Sequence, residues 1–382
     1  MTNPEIPSPS RLIAAFASVF TSLALVVSMP SAASAKVLDC PLREERFSVD
    51  LPMIDILLSP AASATVDRLA PGMVQNLPPI FRSTTAPAFG SIMTLRMIAS
   101  SGLAGGRTVN IDALNSELGK LPVTADDRRA RCARYDDDLP RFTMPRGKLR
   151  VLLFERMTGF RDGPSVDAAA SAIRDLAAKR GWALVETDKG GVMRPDVLKR
   201  FNVVVWNNVS GDVLTLTQRA AFKAYIEHGG GYVGVHGSAG DPATFWPWYI
   251  DELVGARFKN HPSNPQFQEA EISIESTNRA LTQGLPAKWK MTDEWYSFVQ
   301  SARLTGSKVL ATLDEKSYSP GINPFSAEPV AMGADHPIVW TRCVGKGRSF
   351  YSAIGHVPET YSDSRYSRLL INAVEWAGGT HC

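Results

Sequence analysis

From residue 148 onward, short continuous apolar runs alternate with amphipathic segments of helical length. Four runs have the length of buried strands: Arg150–Phe154, Ala183–Thr187, Asn202–Trp206 and Tyr232–Val235. Ser165–Lys179 and Thr217–Glu227 are predicted helices, the second capped by Thr217 and ended by three glycines. Strands that alternate with helices indicate right-handed crossovers. The pattern therefore predicts an α/β domain with a mostly parallel sheet and helices on both faces.

After Gln266 the alternation is looser, but strand-like runs continue. The predicted strands are Ala270–Ile274, Lys308–Leu313, Ile338–Thr341 and Arg348–Ala353. Arg365–Trp376 is predicted as a closing helix. The α/β domain is therefore expected to cover residues 148–382.

Residues 36–147 lack strong strand patterns and are broken by proline and glycine. The predicted helices are Ile54–Leu58, Ala64–Leu69, Ile111–Leu118 with Asn110 as N-cap, and Arg128–Tyr135 preceded by a capping sequence at Thr124. This segment is predicted to be a small helical module, followed by a linker, whose role is packing or docking. No chemistry is visible in it.

The first 35 residues have the pattern of a signal peptide. Arg11 precedes the apolar run Leu12–Val27, and Ala33-Ser34-Ala35 is a small-residue cleavage pattern. Cleavage after Ala35 predicts a periplasmic or secreted protein without membrane attachment. The alternative is an uncleaved membrane anchor, although the run is short for a span.

Composition narrows the class of protein. Of the 382 residues, 44% are hydrophobic, and the net charge of +3 is too small to favour a nucleic-acid partner.

Export permits disulfides among Cys40, Cys132, Cys343 and Cys382. Because Cys40 and Cys132 bracket the helical module, that pairing is favoured, although four cysteines allow three pairings.

Candidate chemistry concentrates in loops that follow strands, where parallel α/β sheets place their sites. Four of the six histidines lie in such loops or in Pro/Gly motifs: His236, His261, His336 and His356. A single histidine there is as often a buried structural residue, but four together favour a shared polar site.

The segment Gly234–Ser238 is the sharpest local feature. Glycines flank His236 directly after a strand, which predicts a tight strand-to-helix turn that projects this side chain into a cleft. Hydrolases and amidotransferases carry Ser or Cys at such a position. Imidazole there suits a general base or a metal ligand.

Carboxylates supply the rest of the predicted site. Asp293 and Glu294 precede Trp295 and Tyr296, a group that suits acid–base work or the binding of a metal or sugar hydroxyls; a solvated turn is the alternative. Glu359 follows His356 by three residues and is expected to orient it. Loops after the first and third strands are expected to line the same rim, with Thr158, Arg161 and Asn207.

At these positions the chain resembles the ThuA-like family, named for trehalose utilisation. The resemblance covers Arg150 to Gly378 and rests on a series of short motifs in order: TGFR at Thr158, NxxGD ending at Asp212, GGGYVGVH at Gly229, WPWY at Trp246, GAxFxxHP at Gly255, TDEWY at Thr292, MGADHPI at Met332 and GHxPE at Gly355. It implies a class I glutamine-amidotransferase-like, flavodoxin-like sheet and chemistry on carbohydrates. His236 stands where amidotransferases carry Cys, and His356 with Glu359 resembles the remaining pair, so glutamine hydrolysis is not expected.

The leading hypothesis is an exported protein that acts on a small-molecule carbohydrate. The expected catalytic residues are His236, His356, Glu359, Asp293 and Glu294. A divalent metal such as zinc is expected on His236, His261 and His356. The expected substrate-binding residues are Thr158, Arg161, Asn207, Trp295, Tyr296 and His336. The alternative is a non-catalytic carbohydrate-binding or envelope interaction protein.

Overall fold

The computed structural model describes residues 39–104, 108–323, 328–380 and 382. The predicted signal peptide lies outside the described residues. Among those residues, no helix combines the length and apolarity that a bilayer span requires.

The first part of the described chain is helical, as the pattern predicted. Its helices are α1 (Met53–Leu57), α2 (Pro60–Leu69), α3 (Pro79–Arg82), α4 (Leu95–Ser100), α5 (Ile111–Gly119) and α6 (Ala125–Cys132). The predicted caps are confirmed: Asn110 accepts from Ala113 N–H, and Thr124 forms a capping box with Asp127. The predicted Cys40–Cys132 disulfide joins the two ends of this region, and Cys343–Cys382 is also bonded.

After the helical region, nine strands of the described chain form one mixed sheet. They are β1 (Arg150–Phe154), β2 (Ala183–Thr187), β3 (Val203–Asn207), β4 (Gly231–Val235), β6 (Phe267–Ile274), β7 (Lys288–Glu294), β9 (Lys308–Asp314), β10 (Pro337–Val344) and β11 (Gly347–Ser352). Their order is β2-β1-β3-β4-β11-β10-β9-β6-β7, parallel from β2 to β11 and antiparallel beyond. Two short strands, β5 (Phe258–Asn260) and β8 (Ser297–Phe298), pair separately.

Helices cover both faces of the sheet, which confirms the predicted α/β fold. They are α7 (Gly163–Arg180), α8 (Pro195–Leu198), α9 (Leu216–Glu227), α10 (Arg279–Thr282) and α11 (Ser364–Ala377). The predicted cap of α9 is wrong: Thr215, not Thr217, forms the capping box with Gln218. Continuous burial of β1, β3 and β4 explains their unbroken apolar runs.

Each of the two parts has a large hydrophobic cluster of its own. One lies among the N-terminal helices, around Met53, Ile56 and Leu95, and the other fills the α/β domain. Phe160, in the loop after β1, packs against the N-terminal cluster. The N-terminal helices therefore rest on loops at the carboxyl ends of the parallel strands, which is where the candidate site lies.

Candidate functional site

The turn after β4 presents His236. This residue has φ of +35°, a backbone conformation that a side chain with a Cβ rarely adopts, and the carbonyl of His236 accepts a hydrogen bond from Tyr351 Oη at 2.8 Å. Strained backbone of this kind persists where the surrounding structure enforces it. The predicted tight turn is confirmed, and it carries the His236 side chain into a cleft.

His236, Glu294 and His356 meet in this cleft. The Nε2 atom of His236 lies 3.3 Å from Glu294 Oε2 and 3.0 Å from His356 Nδ1, and His356 Nδ1 lies 3.1 Å from the same carboxylate oxygen. One ligand atom from each residue lies within 4.8 Å of the other two. Two imidazoles and a carboxylate therefore converge on one point.

The protonation of His236 follows from its second nitrogen. Nδ1 lies 2.7 Å from the carbonyl oxygen of Ala353, which only accepts hydrogen bonds, so Nδ1 carries a proton. In the neutral ring, the lone pair of Nε2 then faces Glu294 and His356. The ring also stacks on Tyr296, with centroids 4.0 Å apart. His236 is thus held in one orientation from two sides.

Glu294 carries the negative charge of the site. Burial alone raises its pKa, but the contacts with His236 and His356 and the charge of His261 outweigh it, so the pKa of Glu294 lies well below its usual value. Its second oxygen, Oε1, accepts from Gln266 Nε2 and lies 3.3 Å from His261 Nδ1. Burial lowers the pKa of His356, yet the hydrogen bond and charge of Glu294 raise it overall.

Asp293 was expected to act on a ligand, but in the structure it binds the loop after β11. Its carboxylate is fully buried and accepts from the backbone N–H groups of Gly355, His356 and Val357 and from Thr360 Oγ1. It does not line the cleft. Asp293 therefore holds the loop after β11 and positions His356, without contacting a ligand.

Glu359 does not orient His356. Glu359 is exposed in the 3₁₀ turn Pro358–Ser362, and no hydrogen bond or ion pair joins it to His356 among the described residues. Glu359 is exposed to solvent, so the three-residue spacing does not bring the two side chains together here. Glu294 takes the predicted place of Glu359, and Asp162 Oδ2 lies 4.0 Å from the other ring nitrogen, Nε2 of His356.

Three of the four loop histidines converge, and the fourth does not. His336 is fully buried, with Nδ1 2.8 Å from Glu315 Oε1 and Nε2 2.9 Å from the carbonyl oxygen of Tyr296. Both nitrogens are thus occupied by protein atoms, and His336 does not line the cleft. The prediction that it binds substrate is wrong, because it supports the backbone of Tyr296 from behind.

The other predicted rim residues, apart from Tyr296, point away from the cleft. Thr158 Oγ1 donates to Asp212 O, Asn207 Nδ2 donates to Glu155 Oε1 and Val166 O, Trp295 Nε1 donates to Gln268 O, and Arg161 pairs with Asp167. Except for the Arg161–Asp167 pair, these contacts join segments far apart in the chain, and they hold the loops at the strand ends in place. None of these four side chains lines the cleft.

The cleft has a volume of about 640 Å³. It also contains Asn208, from the loop after β3 that was expected at the rim, and polar residues that the sequence did not single out: Asp162, Asp241, Asn260 and Gln266. Asp162 had a readable signal, since it is the N-cap of α7 directly after the loop that follows β1. Asn260 had none, because β5 is a three-residue strand without a clear pattern.

Comparison with known proteins agrees with this architecture. A family model described as ThuA, trehalose utilisation, matches residues 150–377. A solved structure from Bacteroides uniformis ATCC 8492, described as ThuA-like, is 27% identical; the match covers 63% of this chain and 95% of that chain, with a TM-score of 0.52. Another, from Parabacteroides merdae ATCC 43184, is 18% identical over 60% of this chain and 90% of that chain, with a TM-score of 0.44.

No curated protein matches the chain. The family match nevertheless spans more than half of the sequence and coincides with the α/β domain that carries His236, Glu294 and His356. The chain belongs to the ThuA family, which is named for trehalose utilisation.

Proposed function

We propose that this protein is exported and acts on a carbohydrate related to trehalose utilisation, with its chemistry at His236, Glu294 and His356. The observation that carries the proposal is the convergence of these three side chains on one point of a cleft large enough for a small ligand. The cleavage pattern ending at Ala35 and the two disulfides support export.

The same three side chains suit a divalent metal, with zinc as the best match. In a tetrahedral zinc site with bonds of about 2.1 Å, neighbouring ligand atoms are about 3.4 Å apart, and the observed separations are 3.0, 3.1 and 3.3 Å. Histidine ligands also commonly donate their second N–H to a carbonyl, as His236 does to Ala353. When bound, such a metal supplies an activated water or polarises a substrate oxygen.

The ligand set differs from the one predicted from sequence. Glu294 replaces His261, whose Nδ1 lies 2.8 Å from Pro262 O and 3.3 Å from the outer oxygen of Glu294. His261 and Gln266 therefore fix Oε1 of Glu294, the outer oxygen, while Oε2 faces His236 and His356. Asp162, near Nε2 of His356, is placed to stabilise charge on that ring.

Amidotransferase-like acyl transfer does not suit this elbow. Its nucleophile position holds His236, a poor lasting nucleophile for amide chemistry. The N–H that follows, on Gly237, usually helps to stabilise an oxyanion. Here it donates to Asn208 Oδ1 at 3.1 Å and is already engaged. Both features argue against glutamine hydrolysis at this site.

Elemental analysis of the purified mature protein tests the metal centre. We expect near-stoichiometric metal in the wild type and its loss in His236→Ala, with unchanged circular dichroism. Glu359→Gln is the matched control, since it removes an exposed carboxylate outside the site and should retain the metal. Metal bound equally by His236→Ala would refute this centre.

A metal-free mode is the second candidate. The short contact between His236 Nε2 and His356 Nδ1 satisfies both rings without an ion when His356 donates. The site would then bind sugar, with or without acid–base turnover. A metal-free wild type that converts a sugar, with activity lost in Glu294→Gln, identifies acid–base catalysis, whereas sugar binding without product identifies a binding protein.

A further inference from the structure

The two walls of the cleft differ in chemistry. One wall belongs to the α/β domain and carries the polar groups, among them His236, Glu294 and Asn260. The opposite wall is apolar. It is lined by Phe81, Phe89, Ile92, Met93, Met97 and Leu103. All six residues come from the N-terminal helical region, so that region forms half of the candidate site.

The apolar wall is poorly suited to sugar hydroxyls. Phe81, Phe89 and Phe160 form a continuous stack, with ring centroids 4.8 and 4.9 Å apart. The two serines on this wall offer no free O–H donor, because Ser100 Oγ donates to Met97 O and Ser101 Oγ donates to Ile98 O. A bound hydroxyl group facing the aromatic and aliphatic side chains of this wall would lose its hydrogen bonds to water without replacement.

On the polar wall, Asn260 is ready for a ligand. The residue is 2% exposed and lines the cleft, yet neither its amide oxygen nor its amide nitrogen has a hydrogen-bond partner among the described residues. Leaving a buried polar group unpaired is costly, so such a group in a cleft indicates a bound partner. An amide offers one acceptor and two N–H donors, which matches neighbouring hydroxyls of a sugar.

We propose that the substrate is amphipathic: a glycoside whose sugar is held by Asn260 beside the His236 centre and whose apolar aglycone lies on the N-terminal wall. The inference rests on the proposed action on carbohydrates and adds the substrate class. Burial of an apolar group on this wall stabilises the complex in proportion to the area removed from water. The N-terminal region is then a specificity element.

Binding of paired methyl and phenyl glycosides of glucose, galactose and mannose, measured by calorimetry on the mature protein, tests this. For at least one sugar, the phenyl glycoside should bind at least tenfold more tightly, equivalent to about 1.4 kcal/mol. Met97→Gln keeps the side-chain length but removes its apolar character, and should reduce that ratio at least threefold while leaving methyl-glycoside affinity within twofold.

Two further variants sharpen the test. Asn260→Ala should weaken both members of a pair by a similar factor of at least ten. Leu304→Gln, at a side chain 76% exposed and outside the cleft, should change neither affinity. Equal affinity for the phenyl and methyl members of every pair, or a phenyl preference that survives Met97→Gln undiminished, would overturn the proposal.

The result separates this inference from the proposed function. Loss of turnover in His236→Ala together with equal phenyl and methyl affinities would leave the carbohydrate site standing and remove the apolar subsite. A phenyl preference that Met97→Gln abolishes would support the apolar subsite. If metal content and sugar conversion in the same protein did not depend on His236, the proposed centre at His236 would be removed.

Discussion

The Nε2 atom of His236 lies 3.3 Å from Oε2 of Glu294, although their strands, β4 and β7, are separated in the sheet by β11, β10, β9 and β6. In a flat sheet with strands about 4.8 Å apart, five steps would separate them by about 24 Å. The antiparallel half of the sheet therefore curves until the end of β7 meets the turn after β4. This curvature assembles the site.

Glu294→Gln keeps the shape of the side chain but removes its charge. Because this carboxylate is the anionic partner of both His236 and His356, we expect metal affinity to fall at least a hundredfold and activity to be lost. Titration with zinc under a competing chelator measures it. Glu359→Gln should bind as the wild type does. Unchanged zinc affinity in Glu294→Gln would remove this residue from the ligand set.

Asp293→Asn tests the positioning of His356. An amide has a single acceptor oxygen, so it cannot accept from Gly355, His356 and Thr360 as the carboxylate does. We expect a loss of about 2 kcal/mol in the free energy of unfolding, measured by denaturant titration, together with weaker metal binding. Full stability in this variant would contradict the clamp.

Asp241 predicts a pH-dependent stability. Burial raises its pKa to about 7, although Ser210 Oγ and Gly211 N–H donate to it and lower the pKa in part. Because the folded-state pKa is raised, its contribution is fully favourable below pH 4 and is lost as the pH rises to about 7. The unfolding free energy of Asp241→Asn minus that of the wild type should therefore increase between pH 4 and 7 and stay constant above pH 7. A constant difference across this range would contradict the raised pKa.

The Cys40–Cys132 disulfide closes a loop with a sequence separation of 92. Removing such a cross-link increases the entropy of the unfolded chain, and we expect Cys40→Ser with Cys132→Ser to lower the free energy of unfolding by about 4 kcal/mol. Guanidinium titration measures it. The apolar wall of the cleft should loosen too, so phenyl-glycoside affinity should fall more than methyl-glycoside affinity.

Export makes a separate prediction. When the full chain is produced in a bacterium with a secretory pathway, the mature protein should appear outside the cytoplasm and begin at Lys36, because cleavage is expected after Ala35. N-terminal sequencing of the periplasmic fraction checks this. Protein that retains its first 35 residues in the membrane fraction would instead support the uncleaved anchor.

The strands that could be predicted from sequence are those whose structure is dictated locally. Strands β1 and β2 were predicted with their observed ends, because both show continuous or alternating apolar positions between clear breakers. By contrast, β7 was missed, although Lys288–Glu294 alternates exposed and buried positions. Its end carries Asp293 and Glu294, two adjacent carboxylates that are typical of a solvated turn rather than of a buried strand end.

The sequence by itself determined the α/β fold and the turn at His236, since these depend on local periodicity and on glycines beside a strand end. Its series of short motifs carried the resemblance to the family. Only the tertiary structure decided that Glu294 rather than Glu359 joins His356, that His336 lies behind the site, and that the N-terminal helices form the apolar wall opposite Asn260. The physical reason is that these contacts join segments far apart in the chain. They depend on sheet curvature and helix packing, which no local pattern encodes.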